Sequence, residues 1–368
     1  MAGFVMHRSD FCMVSAFRDW IMFRSVVLLR ALLLLISCGM VLAFLARAFG
    51  LFKVFPYPFF GPPSLVNAIG GFLFGIGMVL AGGCVVGILY KLGAGSRVAG
   101  IGLLGLLVGS GLYAEIHPWW VQLAKKTSFS AGSVTLPQLL GWADWVVILP
   151  LVLLAGWFSR EGLRKGEWRQ RSPVDGYLQP WLAALVLAGI GLVSALVIGM
   201  PMGVTTSYAK VAAWFERLVW PQHVASLEFF NLPPHSFHIP LGEVQLAGSP
   251  GPAFDGIAAV QYPLIIGIVL GSALSAGLLR EWRLKGKLPL RQAVFAGCGG
   301  VLMGLASRMT PGCNVWHLWG GVPILALQSL LFVVGLLPGT WVGCRLLEKL
   351  VFSRARGINQ PHLEGLKP

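Results

Sequence analysis

Gly71-Phe72-Leu73-Phe74-Gly75 leads to Gly82-Gly83-Cys84, and Gly300-Val301-Leu302-Met303-Gly304 leads to Pro311-Gly312-Cys313. The two stretches are versions of each other, 229 residues apart: Gly71 falls on Gly300, Gly75 on Gly304, Gly83 on Gly312 and Cys84 on Cys313. Each delivers a thiol into the middle of an apolar run. In a membrane protein, glycine-broken helices at matching points of two repeats mark a binding site between the repeats. The group presented there is a thiol, so the ligand should be one that thiols engage.

The surrounding chain is that of an integral membrane protein. Of its 368 residues 56% are hydrophobic and 11% charged, and the mean hydropathy is +0.75. A soluble domain carries roughly 25% charged residues. Apolar runs at 26–46, 65–81, 97–113, 144–158, 181–199, 261–279, 293–307 and 322–343 suit helices crossing a hydrocarbon core of about 30 Å. Shorter apolar pieces at 4–20, 84–92, 205–219 and 313–320 cannot span. They read as half-helices or re-entrant segments, which membrane depth tolerates where protein or a cavity surrounds them. Residues 1–20 carry His7, Arg8, Asp10, Arg18 and Asp19 without a long apolar core, unlike a cleavable signal peptide. The fold class expected is an all-α polytopic membrane protein.

Basic residues set the orientation. Arg160, Arg164, Lys165, Arg169 and Arg171 cluster in one loop, and Arg280, Arg283, Lys285, Lys287 and Arg291 in another; five more follow from Arg345 onward. No Lys or Arg lies between Arg217 and Arg280. The basic loops and the C-terminus are therefore expected in the cytoplasm, and loop 220–256 outside. The first repeat then ends its core near residue 113 and enters loop 114–143 outside. The second ends near residue 344 inside. Equivalent ends on opposite sides mean an inverted repeat: 1–158 as the first membrane repeat, 159–180 as a basic cytoplasmic linker, 181–345 as the second repeat and 346–368 as a cytoplasmic tail. A fainter match sets Ser9–Phe17 on Thr206–Trp214, with Cys12 on Ala209. The cysteine set then counts three, and the site is asymmetric along the membrane normal.

The net charge of +14 is mostly this topological signal, with some share left to attract an anion. Nucleic-acid binding does not fit, because no dense basic run accompanies a soluble fold. The six cysteines are Cys12, Cys38, Cys84, Cys298, Cys313 and Cys344, with no CxxC pair. That argues against zinc or iron–sulfur ligation and against a disulfide framework. No metal or other cofactor is expected. Gly82-Gly83 and Pro311-Gly312 should break their helices. Cys84 and Cys313 would then sit near the starts of new half-helices, where free N–H groups favour an anion. Cys38, Cys298 and Cys344 read as packing residues. On one helix, Arg8, Cys12 and Asp19 would share roughly one face.

Arg308, three residues before Pro311-Gly312-Cys313, is ionisable at membrane depth and reads either as an anion-holding group or as a snorkelling anchor. His317, one turn beyond Cys313, faces the same cavity or packs among Trp316 and Trp319. Lys91 lines the path or marks its cytoplasmic end. No paired intramembrane carboxylates of the kind used in proton relays stand out, and the Gly-rich segments lack the Lys-Ser/Thr of a P-loop.

Phe11-Cys12 with Ala16-Phe17-Arg18-Asp19, then Gly82-Gly83-Cys84-Val85-Val86-Gly87, then Leu302-Met303-Gly304 with Pro311-Gly312-Cys313-Asn314, resemble the YeeE/YedE family of membrane sulfur transporters over nearly the whole chain. The resemblance implies an hourglass of inverted halves in the bacterial inner membrane and uptake of thiosulfate. Carried over, Cys12, Cys84 and Cys313 would line a central path and pass the anion along by thiol hydrogen bonds. Gly83, Gly312, Arg308 and His317 complete the expected binding set. Small cytoplasmic sulfur-carrier or rhodanese-like proteins are the implied partners, besides membrane lipid. The expectation is a transporter and not an enzyme. Two alternatives stand beside it: a membrane thiol oxidoreductase or persulfide relay using the same cysteines, and transport of a selenium compound.

Overall fold

The structure, a computed structural model, describes residues 1–352 apart from 53, 58, 131, 165, 167, 169–175, 240–243 and 283–287. Lys165, Arg169, Arg171, Arg283, Lys285, Lys287 and the tail beyond residue 352 lie outside the described residues. The helices run α1 (Ala2–Ser9), α2 (Met13–Phe23), α3 (Val27–Ala48), α4 (Leu65–Leu80), α5 (Val85–Gly93), α6 (Arg97–Lys126) and α7 (Leu136–Leu140). They continue as α8 (Asp144–Arg164), α9 (Pro180–Ile198), α10 (Thr205–Val219), α11 (Pro221–Ser226), α12 (Gly256–Leu278), α13 (Leu290–Met309) and α14 (Leu327–Leu347). A π-helical segment, Val315–Gly321, lies between α13 and α14.

Eight helices among the described residues are long and apolar enough to cross a membrane, one for each long apolar run. The protein is an all-α polytopic membrane protein. The short runs also form helices, with one correction. Residues 4–20 make two helices, because Asp10 turns left-handed at φ 47° and ends α1. Arg8, Cys12 and Asp19 thus share no helix face; Cys12 is instead the N-cap of α2. Loop 114–143 is also shorter than expected. Helix α6 runs on through Pro118 to Lys126, because Tyr113, Ala114, His117 and Trp120 give it a buried face. Part of that face packs on Phe229. Loop 220–256 holds α11 and a small antiparallel hairpin, β1 (His235–Ile239) and β2 (Val244–Gly248), which no alternating pattern had announced.

Small residues set how the spanning helices pair. A Cβ added at Gly71 would strike the carbonyl of Phe332, and one at Gly335 the carbonyl of Ala68; Gly339 meets Phe72 in the same way. Contacts that advance together along both chains mean that α4 and α14 run parallel with their backbones nearly touching. Helices α6 and α13 repeat the arrangement: Gly300 meets Gly102, and Gly304 meets Leu106. The repeat offset carries Gly71 to Gly300, and it carries the α4–α14 seam onto the α13–α6 seam. Between the two seams, Gly70 approaches Thr310 and Gly299 approaches Ala81. The repeat-related helices α4 and α13 therefore run antiparallel. Each seam joins a helix of one half to a helix of the other.

Helix ends follow local chemistry. Ser64 and Asn67 form a capping box on α4, and Asp255 caps α12 by accepting the Ile257 and Ala258 amides. The same carboxylate receives the buried Lys210 ammonium at 2.6 Å, which also donates to the Gly251 and Ala253 carbonyls. This clamp fixes α10 to the loop before α12. Such pairs persist at depth because each charge is matched and its remaining hydrogen bonds are filled.

Candidate functional site

Glycine breaks the helix and cysteine restarts it. Gly82 adopts φ +68°, the left-handed turn that suits a residue without Cβ. Its carbonyl accepts the Lys91 ammonium at 2.6 Å. Cys84 is then the N-cap of α5, and its sulfur accepts the Gly87 amide hydrogen at 3.2 Å. Cys12 stands at the start of α2 in the same extended cap conformation. Cys313 follows the Thr310-Pro311-Gly312 break and precedes the π-helical segment. Three helix starts thus each carry a cysteine, one more than the Gly-Cys repeat announces.

The three thiols are free and buried, in one continuous core cluster. A Cβ on Gly87 would lie 3.0 Å from Cys12 Sγ and 3.2 Å from Cys84 Sγ. The two sulfurs flank the same backbone position. Cys313 lies within electrostatic reach of Cys84. Gly312 is needed because Trp316 occupies the space its Cβ would take. Gly83 is held less tightly, its nearest neighbours standing at ordinary contact distance.

Two cavities are lined by close chain neighbours of the thiols. The first, about 100 Å³, is lined by Thr205, Thr206, Gln261, Arg308, Pro311 and Gly312, among others. Arg308 is 8% exposed. Its guanidinium donates to the hydroxyls of Thr205 and Thr206, and its Nε has no partner among the described residues. A buried cation held by hydroxyls, with no carboxylate among the described residues at bonding distance, keeps its charge available to an anion. This placement favours the anion-holding reading over the snorkelling one. Ile257, at the hairpin end of α12, also lines this cavity.

The second cavity, about 630 Å³, is lined by His7, Asp10, Tyr90, Lys91, Arg280 and Glu281, among others, and lies beside the basic loops. The Tyr90 hydroxyl donates to Asp10 at 3.2 Å and stands within electrostatic reach of Cys12 and Cys84. It joins the thiols to this mouth. Asp10 and His7 belong to α1 and its cap, outside the eight spanning helices. Burial pushes the Asp10 carboxyl up from its ordinary value, against the pull of Lys91. Burial pushes the His7 imidazole down, against the pull of Glu281 and Asp10.

His317 does not join the site. It has no exposed surface and stacks on Phe332 with ring centroids 4.2 Å apart. Its Nε2 contacts the Thr310 carbonyl at 2.9 Å, and its Nδ1 contacts the Ser329 hydroxyl at 2.9 Å. A carbonyl only accepts, so Nε2 carries the proton and Nδ1 receives the hydroxyl hydrogen. Both nitrogens are thus committed inside the protein, and the packing reading is the one the structure supports. Of the expected packing cysteines, Cys344 is buried and Cys38 partly so, while Cys298 is exposed on α13. The sequence reading missed Gly87, Thr205 and Thr206. Gly87 was visible only as a glycine one turn beyond a cysteine. The two threonines sat at the head of a short run that cannot span.

Comparison with known proteins agrees with this geometry. The profile of the sulphur transport family matches residues 8–342. The thiosulfate transporter TsuA of Spirochaeta thermophila is 32% identical over 351 residues, covering 92% of this chain and 94% of its own. TsuA of Escherichia coli is 25% identical over 364 residues, covering 97% and 94%. The probable transporter YedE of Escherichia coli is 30% identical over 177 residues, 46% of this chain and 41% of its own. With the family profile spanning nearly all of its length, this chain belongs to the sulphur transport family.

Proposed function

We propose that the protein imports thiosulfate across the bacterial inner membrane along a path of cysteine thiols. One observation carries the reading: three cysteines, each at a helix start, are buried in one core cluster, with one cavity beside Gly312 and another beside Asp10 and Tyr90. Thiosulfate has a hard end of three oxygens and a soft terminal sulfur. Arg308 and the exposed amides of helix starts replace water at the oxygens. The thiols match the sulfur and bind it weakly enough to release it, which serial sites require for conduction. In this reading Arg308, Gly312 and Cys313 form the outer approach, Cys84 and Cys12 with Gly83 form the waist, and Lys91 marks the inner mouth.

The antiparallel run of α4 and α13, and the exchange of seams between the halves, support an inverted repeat shaped like an hourglass. The halves would be 1–158 and 181–345, joined by the 159–180 linker. The hairpin loop then lies outside, and the basic loops and C-terminal tail lie in the cytoplasm. The inner cavity, with Lys91 and Arg280 at its rim, is where a sulfur-carrier or rhodanese-like protein would collect the anion. Reconstituted vesicles test the function: purified protein should take up labelled thiosulfate, and sulfate should not replace it. Mass spectrometry of the same protein should return unmodified thiols. No uptake, or a stable persulfide on Cys84 or Cys313, would overturn the reading.

A further inference from the structure

Two side chains beside the thiols carry polar atoms that no described residue engages. The Tyr208 hydroxyl is buried without a hydrogen-bond partner, in a residue only 3% exposed. Asn314, next in the chain to Cys313, has both amide atoms unpartnered and no exposed surface. Buried polar atoms are nearly always paired, and each exception calls for a reason. Phenylalanine and leucine would fill the same space without the penalty of lost hydration. A partner that arrives and leaves supplies the reason.

Their positions agree. Tyr208 packs in the core cluster with Cys84 and Cys313 and lies within electrostatic reach of both sulfurs. Its backbone is fixed on either side. Before it, Thr205 and Thr206 hold Arg308, and the Ser207 amide donates to Gln261 at 2.9 Å. After it, Lys210 is locked to Asp255 and two carbonyls. The phenol is therefore aimed before any ion enters. Arg308 stays at the outer cavity and cannot follow the oxygens inward, and thiols suit only the sulfur end.

We propose that Tyr208 and Asn314 are the oxygen-end ligands of the transported anion. The phenol O–H and the amide N–H donate to its oxygens while its terminal sulfur passes from Cys313 to Cys84. This inference rests on the transport reading. It places recognition of the hard end at the level of the thiols, so that an ion with only a soft end or only a hard end is held at one pole.

The test is uptake of labelled thiosulfate by vesicles carrying Tyr208→Phe, Asn314→Leu, Cys84→Ala or the unchanged protein. Both apolar variants should fold, with a thermal midpoint equal to or above that of the parent. Their maximum uptake rate should fall by about tenfold, one hydrogen bond to a charged ion, with KM within about twofold because the outer cavity is intact. Full uptake rate in Tyr208→Phe and Asn314→Leu overturns the inference. So does a loss of rate accompanied by a lowered midpoint, which is what a packing role would give. Cys84→Ala separates the two levels. If it transports normally, the thiol path itself fails; if it is inactive while Tyr208→Phe runs at full rate, only the present inference fails.

Discussion

The sulfur of Cys84 accepts the amide hydrogen of Gly87 at 3.2 Å, so the first turn of the helix it caps orients the thiol. On its other flank the same glycine leaves room for Cys12. Cys84→Ala is expected to abolish uptake with the protein still folded. Cys84→Ser keeps the cap but replaces a soft, polarizable atom with a hard donor, and should be far slower than its near-identical shape suggests. Cys344→Ala and Cys38→Ala should retain uptake. Thiosulfate transport at the parent rate by the serine variant would reduce the thiol to a polar surface.

In the proposed path Arg308 governs entry. Arg308→Gln removes a buried charge contact worth about 1–3 kcal/mol, a ten- to hundredfold change. It should appear as a raised KM for thiosulfate. Arg308→Lys keeps the charge without the planar fork and should recover part of the loss. Neutralising Arg291 at the start of α13 should change KM much less, because salt screens an exposed charge more than a buried one. An unchanged KM in Arg308→Gln would leave the oxygens at the outer cavity to backbone amides alone.

His317 makes the opposite prediction. It braces the Thr310-Pro311 break against Ser329 and Phe332. His317→Ala opens a cavity and strands two polar partners, a loss of about 2–5 kcal/mol. Thermal unfolding should fall markedly, and whatever fraction stays folded should keep a normal KM. A stable variant with a raised KM would return His317 to the binding site.

The seams respond to single methyl groups. Gly71→Ala places a Cβ against the Phe332 carbonyl, and Gly304→Ala one against the Leu106 carbonyl. A helix backbone is no flexible side chain and cannot yield locally, so either variant should accumulate poorly in the membrane. Gly156, with open space where its Cβ would stand, is the control and should tolerate alanine. Equal accumulation of all three would mean that the seams are looser than their contacts indicate.

A reporter after Gly166 should read cytoplasmic, and one near Gly248 external. Labelling of both from the same side would remove the inverted arrangement while leaving the thiol cluster untouched.

All eight spanning helices were legible as apolar runs, because hydrocarbon leaves a chain few alternatives to helix. So was the cap position of Cys84, since Gly82-Gly83 cannot continue a helix and a thiol after it begins the next. The role of His317 was not. Its neighbours Ser329 and Phe332 lie beyond the π-helical segment, and sequence spacing gave no sign that the chain returns there. Tyr208 and Asn314 were equally silent. What singles them out is the lack of partners, a property of the folded core. The hairpin escaped notice because His235–Ile239 and Val244–Gly248 show no clean alternation of apolar and polar residues.

The crossed seams have a mechanical consequence. Neither half of the chain owns a complete wall: α4 leans on α14, and α13 on α6. Rocking one half as a rigid lever against the other would have to peel apart both glycine faces at once. The frame is therefore expected to stay in place during turnover. Motion is left to the side chains along the path, so turnover should behave as that of a narrow, gated conduit, quick and only mildly dependent on temperature.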